Sequence, residues 1–114
     1  METQSTRQLK VSRQLQKDLS EIFREKGTGA YNGAMITVTS VRISPDLSVA
    51  RVYISIFPST KISEVFEIIE TSNKAIRGEL GKRVSKQLRI VPQLVFIIDD
   101  SLDYVEKIDE LLKK

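Results

Sequence analysis

The chain has 114 residues, a formal net charge of +3, and neither cysteine nor histidine. Its length is that of one domain, and its 40% hydrophobic and 29% charged residues are typical of a globular protein. The missing residue types exclude disulfides, thiol nucleophiles and cysteine zinc sites, and they remove the usual general base near neutral pH. No secretion signal or run of about 20 apolar residues is present. We therefore expect one cytoplasmic domain over residues 1–114, with no enzyme activity, cofactor, metal or membrane partner.

The first half of the chain predicts a helix followed by a β-hairpin. Residues 5–26 carry one apolar stripe at helical spacing, and the glycine-rich run 27–33 ends it. Two segments rich in β-branched residues follow, Met35–Ile43 and Leu47–Phe57, and Ser44-Pro45-Asp46 between them suits a tight turn. The stripe of the helix consists of Val11, Leu15, Leu19, Ile22 and Phe23.

The second half predicts an interrupted helix, a strand and a last helix. A helical period covers 62–84, but Thr71-Ser72-Asn73 is weak inside helices, so we expect a break near 71–74. The apolar run Leu94–Ile98 predicts a strand buried on both faces, and residues 99–101 could cap a helix carrying Leu102 to Leu112. The third strand follows the hairpin through a long helical connection, which favours parallel pairing of the strands that it joins. The order is α-β-β-α-(kink)-α-β-α, an α+β fold with a mixed three-stranded sheet backed by helices.

Charge is distributed unevenly along the chain. Residues 74–89 contain six cations against Glu79, whereas residues 99–110 contain six carboxylates against Lys107. A basic patch on a helix face binds nucleic acid by neutralising phosphates, so we interpret 74–89 as a basic helical segment for nucleic acid, joined by cations of the first helix. The residues predicted to bind it are Arg7, Lys10, Arg13, Lys74, Arg77, Lys82, Arg83, Lys86 and Arg89.

Other interpretations of these charges remain open. A run of cations is usually a solvated helix face, and a polarised charge distribution could equally dock an acidic protein partner without RNA. The carboxylates Asp99, Asp100 and Asp103 could bind a divalent cation, but helix capping explains them more simply. Aromatic residues for base stacking are few, and core or hairpin packing is the expected role of Tyr53 and Phe57, which leaves Tyr31.

Four segments together resemble the ribosome-binding factor A family. The longest is Val38–Ser55, with the hairpin run Val-Arg-Ile-Ser-Pro-Asp-Leu-Ser-Val-Ala-Arg-Val-Tyr; the others are Ile76–Lys82, Leu88–Phe96 and Asp99–Ser101. They occur in the family's order and spacing, and the resemblance extends from about Arg7 to Leu112.

The resemblance implies a type II KH-like fold and a role in assembling the small ribosomal subunit. It implies a monomeric RNA-binding protein that contacts small-subunit rRNA in late precursors and assists maturation of the rRNA 5′ end. It also implies support of growth in the cold and, in some organisms, release with the help of a GTPase assembly factor. The family's Ala-X-Gly helix kink corresponds here to Ser72, Asn73 and Lys74, so this chain has no glycine at that point.

Overall fold

A computed structural model describes residues 4–99 of the chain. Two short 3-10 turns, Thr28–Tyr31 and Ser59–Lys61, interrupt the connections. The predicted element order is confirmed through the third strand, and the predicted final helix lies outside the described residues. The elements are α1 (Thr6–Lys26), β1 (Met35–Ile43), β2 (Val49–Phe57), α2 (Ile62–Thr71), α3 (Asn73–Val84) and β3 (Gln93–Ile98).

Helix α1 begins and ends where its sequence allows. The Ser5 side chain accepts from the backbone of Gln8, whose side chain accepts from the Ser5 amide, so two N-terminal donors are satisfied in a capping box. Gly27 ends the helix at φ +73°, a conformation that favours glycine. Between them, Leu15 and Leu19 are fully buried. The apolar stripe therefore faces the core, as predicted.

The sheet has the order β1-β2-β3, with β1 antiparallel and β3 parallel to β2. The helices cover one face, and their apolar side chains join those of the strands in a single core cluster. A β-bulge at Thr39 shifts the β1–β2 register between Val38 and Ser40. Strict alternation from Val38 would bury the even-numbered positions of β1. After the bulge, the buried residues are instead the odd-numbered Val41 and Ile43.

The hairpin turn holds an unusual backbone conformation. Leu47 has φ +63°, so β2 begins at Val49 rather than at the predicted Leu47. The Asp46 carboxylate compensates by accepting from both hydroxyls beside it, those of Ser44 and Ser48, at 2.7 Å each, and from the Ser48 amide at 3.1 Å. These bonds, led by that from the Ser48 side chain, lower the pKa of Asp46 below its ordinary value.

The prediction that Leu94–Ile98 is buried on both faces is wrong. Leu94 and Phe96 point into the core, whereas Val95 between them is 46% exposed. The cause is the architecture: within residues 4–99 the helices pack on one face of the sheet, so no helix of this range covers the apolar side chains on the opposite face of β3. A continuous apolar run does not distinguish these two cases.

The predicted helix break is confirmed, but the basic segment is not helical throughout. Helix α2 ends at Thr71 and α3 starts at Asn73, with Ser72 between them at φ −90° and ψ 2°. Helix α3 then ends at Val84, so Lys86 and Arg89 lie in the connection to β3. Among residues 4–99, no helix is long and apolar enough to cross a membrane.

Candidate nucleic-acid interface

Helix α3 and the segment after it present four exposed cations. Lys74 lies in the first turn of α3, Lys82 in its last turn, and Lys86 and Arg89 follow its end. The opposite side of the helix packs against the core. Within the described part of the chain, these four cations form no ion pair. Their exposure makes them accessible to an anionic partner. The buried residues that hold the helix in place are Ile76, Leu80 and Val84.

Arg83 is held against α1 by carboxylates of that helix. Its guanidinium nitrogens lie 2.8 Å from Glu21 Oε2 and 2.6 Å from Glu25 Oε2, and its side chain is only 23% exposed. The hydrogen bond to Glu25 raises the pKa of Arg83 above its ordinary value, and the negative charge of nearby Asp18 adds to the effect. Three carboxylates therefore surround this one cation. Arg83 joins α1 to α3 and offers no positive charge to a phosphate.

Arg77 is also used within the fold. Its Nε donates to the carbonyl of Pro92 at 3.0 Å and its Nη2 donates to the carbonyl of Val91 at 2.6 Å. These carbonyls belong to the connection that leads into β3. The guanidinium fork thus fixes that connection to α3 and satisfies two backbone acceptors.

The predicted cations of α1 lie away from the Arg83 pair. Arg7, Lys10 and Arg13 are exposed in the N-terminal half of the helix. At about 1.5 Å of rise per residue, Arg13 lies about 12 Å and Arg7 about 21 Å along the axis from Glu21. They form a second exposed basic group rather than an extension of the Arg83 contact.

The residues at the helix break serve to position the helices. Asn73 Nδ2 donates to the carbonyl of Leu94 at 2.9 Å, which ties the start of α3 to β3. The Ser72 carbonyl accepts from the amide of Ile76, and the Ser72 amide donates to the carbonyl of Ile68, so helical hydrogen bonds continue on both sides. None of the three kink residues has a positive φ. The break therefore forms without glycine, and it leaves Lys74 exposed beside it.

The aromatic side chains are placed differently from the prediction. Tyr31 is buried, with its ring 5.7 Å from that of Phe23, and burial raises the pKa of its phenol. Phe57, predicted to pack in the core or hairpin, is instead 58% exposed, opposite Met35 at the end of the sheet. Ile90, which follows Arg89, is the most exposed large apolar side chain among residues 4–99, at 75%. Apolar contact with a partner is thus available next to the basic group.

The metal-site interpretation gains no support from the described residues. In the range 4–99, no cluster of three or more candidate ligands is present. Asp99 Oδ2 accepts a hydrogen bond from the Thr39 hydroxyl at 2.6 Å. Asp100 and Asp103 lie outside the described residues, as does the predicted capping of the final helix.

Counting charges along the chain missed two exposed cations of the sheet. Arg42 in β1 and Arg51 in β2 are direct partners across the hairpin and point away from the helices. The sequence could have predicted that both arginines lie on the outer face of the sheet. Each one is next to an apolar residue, Ile43 or Ala50, that the strand buries, and successive side chains point to opposite faces. The fold thus places cations on the helix side and on the opposite, outer face of the sheet.

Comparison with known proteins identifies the family. The family model for ribosome-binding factor A matches residues 7–112. The chain belongs to the ribosome-binding factor A family. A ribosome-binding factor A from Flavobacterium johnsoniae is 46% identical over 110 residues, covering 96% of this chain and 85% of its own length. One from Chlorobaculum tepidum is 39% identical, covering 96% and 90%. The resemblance seen in the four sequence segments is confirmed.

Solved structures of ribosome-binding factor A share the fold. The crystal structure from Thermus thermophilus aligns with a TM-score of 0.67 at 24% identity, over 80% of this chain and 94% of that one. A homology model of the Thermus thermophilus factor, fitted into a cryo-electron microscopy map of its 30S complex, aligns with a TM-score of 0.63 at 25% identity, over 78% of this chain and 91% of that one. The predicted KH-like α+β fold with a mixed three-stranded sheet is therefore confirmed.

Proposed function

We propose that this chain binds the small ribosomal subunit through its rRNA and assists the assembly of that subunit. The observation that carries the proposal is the family match over residues 7–112, because a similar protein has been fitted into a map of a 30S complex. The exposed cations on the helix side supply the physical means. Lysine and arginine side chains that neutralise phosphates release bound counterions, which drives association with RNA.

We divide the nine predicted RNA-binding residues by role. Lys82, Lys86 and Arg89 are exposed and close in sequence at the end of α3, so they form the proposed primary contact, with Lys74 at the other end of the helix. The α1 cations supply a second contact. The two remaining arginines, at positions 77 and 83, are assigned to positioning, because their guanidinium groups already bond within the fold. The two roles make different predictions for substitution.

The remaining details follow from the resemblance as part of the same proposal. The protein acts in the cytoplasm as a monomer, on late precursors of the subunit, and supports 5′-end maturation of the rRNA without catalysing it. A GTPase assembly factor aids its release from the subunit. The protein also supports growth in the cold. Since maturation then depends on binding, loss of the basic contact should delay it.

The test compares two double variants of equal charge change. Lys82→Gln with Lys86→Gln removes the proposed contact, whereas Arg24→Gln with Lys26→Gln removes two exposed cations beside Glu25, at the C-terminal end of α1, that belong to neither proposed contact. In co-sedimentation with precursor subunits, the first variant should bind about tenfold or more weakly and the second should bind as the wild type does. Equal binding by both variants would overturn the assignment of the contact.

A nuclease arm separates RNA binding from the protein-module alternative. Wild-type protein is captured from lysate before and after digestion of RNA. Association with subunit components should be lost with the RNA. A stoichiometric protein partner that persists after digestion would show that an acidic protein, rather than rRNA, is the direct ligand.

A further inference from the structure

The outer face of the sheet carries a pair of like charges in direct opposition. Arg42 and Arg51 are register partners on neighbouring antiparallel strands, and both are exposed. Directly opposed residues have Cβ atoms about 4.5–5.5 Å apart, and like charges at that distance destabilise a sheet. No carboxylate within residues 4–99 forms an ion pair with either arginine. The fold therefore holds two guanidinium groups together without a neutralising partner from this range.

A groove surrounds this pair. It has a volume of about 1000 Å³ and is lined by both arginines, by Tyr53 and Ser40 on the same face, and by Gln8 at its rim. Gln8 is fixed there by donating to the carbonyl of Ile43 at 3.0 Å. Asp99 lines the groove as well, and its carboxylate is engaged by the Thr39 hydroxyl. The floor is β-sheet, so the arginines stand on a rigid support.

The chemistry of the pair fits a phosphate group. Arginine presents a planar fork of donors that matches phosphate oxygens, and two adjacent forks can hold one phosphate or two successive ones. The half-buried ring of Tyr53, two residues from Arg51 on the same strand, adds a polar and an apolar contact beside them. An RNA backbone supplies a phosphate at every nucleotide together with sugar hydroxyls.

We propose that the outer sheet face, through Arg42 and Arg51, binds the sugar-phosphate backbone of a second rRNA segment, different from the segment that the α3 cations contact. This inference rests on the proposed function, since it takes rRNA as the partner. Because the helices cover the other face of the same sheet, the domain would lie between two RNA segments and hold both. A factor that grips two segments can stabilise their relative placement during assembly.

The first arm of the test measures binding and stability together in the full chain. Arg42→Gln with Arg51→Gln should bind precursor subunits about tenfold or more weakly than wild type, and Arg24→Gln with Lys26→Gln serves as the matched control. The midpoint of thermal unfolding should stay the same or rise, because the substitution relieves like-charge repulsion. A lower midpoint with unchanged binding would show that the arginines stabilise the fold instead of binding RNA, and would overturn the proposal.

The second arm uses the absence of cysteine from the chain to attach a probe at one chosen point. Gln93→Cys places an iron-EDTA probe on the outer face, and Ser85→Cys places one after α3 on the helix side. Hydroxyl radicals from the two probes should cleave two different rRNA segments in the bound subunit. No cleavage from the outer-face probe, with strong cleavage from the other, would overturn the proposal while leaving the proposed function intact. Failure of wild-type protein to bind at all would instead overturn the proposed function.

Discussion

At the scale of single residues, similar cations have different tasks. Arg77 bonds to two backbone carbonyls, whereas Lys74, about one turn earlier on α3, has no such contact within residues 4–99. A charged hydrogen bond contributes about 1.5–3 kcal/mol, so Arg77→Met should lower the free energy of unfolding by at least about 1.5 kcal/mol. Lys74→Met should change it by less than about 0.5 kcal/mol. Urea denaturation of both variants checks this, and equal effects would contradict the assignment.

Asp46 gives the hairpin turn a predictable response to acid. Its pKa is lowered by hydrogen bonds, first from the Ser48 side chain, so the ionised form stabilises the fold. That contribution is complete above the unfolded-state pKa of about 3.9 and is lost as pH falls through the lower folded-state pKa. Asp46→Asn should therefore be less stable than wild type at about pH 7.

The control for Asp46 is the pH dependence itself. Thermal unfolding of wild type and Asp46→Asn is followed from neutral pH down into the acid range below the unfolded-state pKa. The gap between their midpoints should narrow in that range. A gap that stays constant across the series would show that ionisation of Asp46 does not stabilise the turn.

Residue roles were the part least predictable from sequence. Nine cations were identified as RNA ligands because the sequence shows their charge but not their neighbours. The carboxylates that neutralise Arg83 lie on α1, 62 and 58 positions away along the chain. Only the packing of α1 against α3 brings them together, and no local pattern reports that contact.

At the scale of elements, two glycines of α3 provide a matched pair. Gly78 is exposed with nothing within 4 Å of an added Cβ, whereas a Cβ at Gly81 would lie 3.1 Å from Val91 Cγ2. Alanine improves on glycine within a helix by about 0.8–1 kcal/mol. Gly78→Ala should therefore raise the free energy of unfolding by about that amount, as measured by chemical denaturation.

Gly81→Ala gains the same helix propensity but presses against the connection before β3. Its free energy of unfolding should therefore be lower than that of Gly78→Ala, with the difference reporting the close approach of Val91. Equal stabilisation by the two substitutions would show that the connection yields freely and that Gly81 is not required for close packing.

Elements were more predictable than their details. Strand β1 and the end of α1 lie where the pattern of β-branched residues and the glycines put them. The bulge at Thr39 and the exposure of Val95 were not predictable, because both depend on which neighbours the strand meets. The hydrophobic pattern of a segment predicts whether it forms a helix or a strand. Which of its side chains are buried depends on the layers that pack against it.

At the scale of the whole molecule, one sheet separates two basic surfaces. The helix side carries Lys82, Lys86 and Arg89, and the outer face carries Arg42 and Arg51. The net charge of +3 hides this arrangement, because carboxylates offset the cations elsewhere. The family could be identified from four sequence segments, but the second surface required the strand register.

The measurement that most directly tests rRNA binding is the salt dependence of affinity for precursor small subunits. For the wild type, the logarithm of the association constant should fall linearly with the logarithm of salt concentration, by about 0.7–0.9 per phosphate neutralised. Lys82→Gln with Lys86→Gln should reduce that slope by about 1–2, whereas Arg83→Gln should leave it unchanged. A flat response in the wild type, or the same slope in the Lys82/Lys86 variant, would contradict phosphate binding by the end of α3.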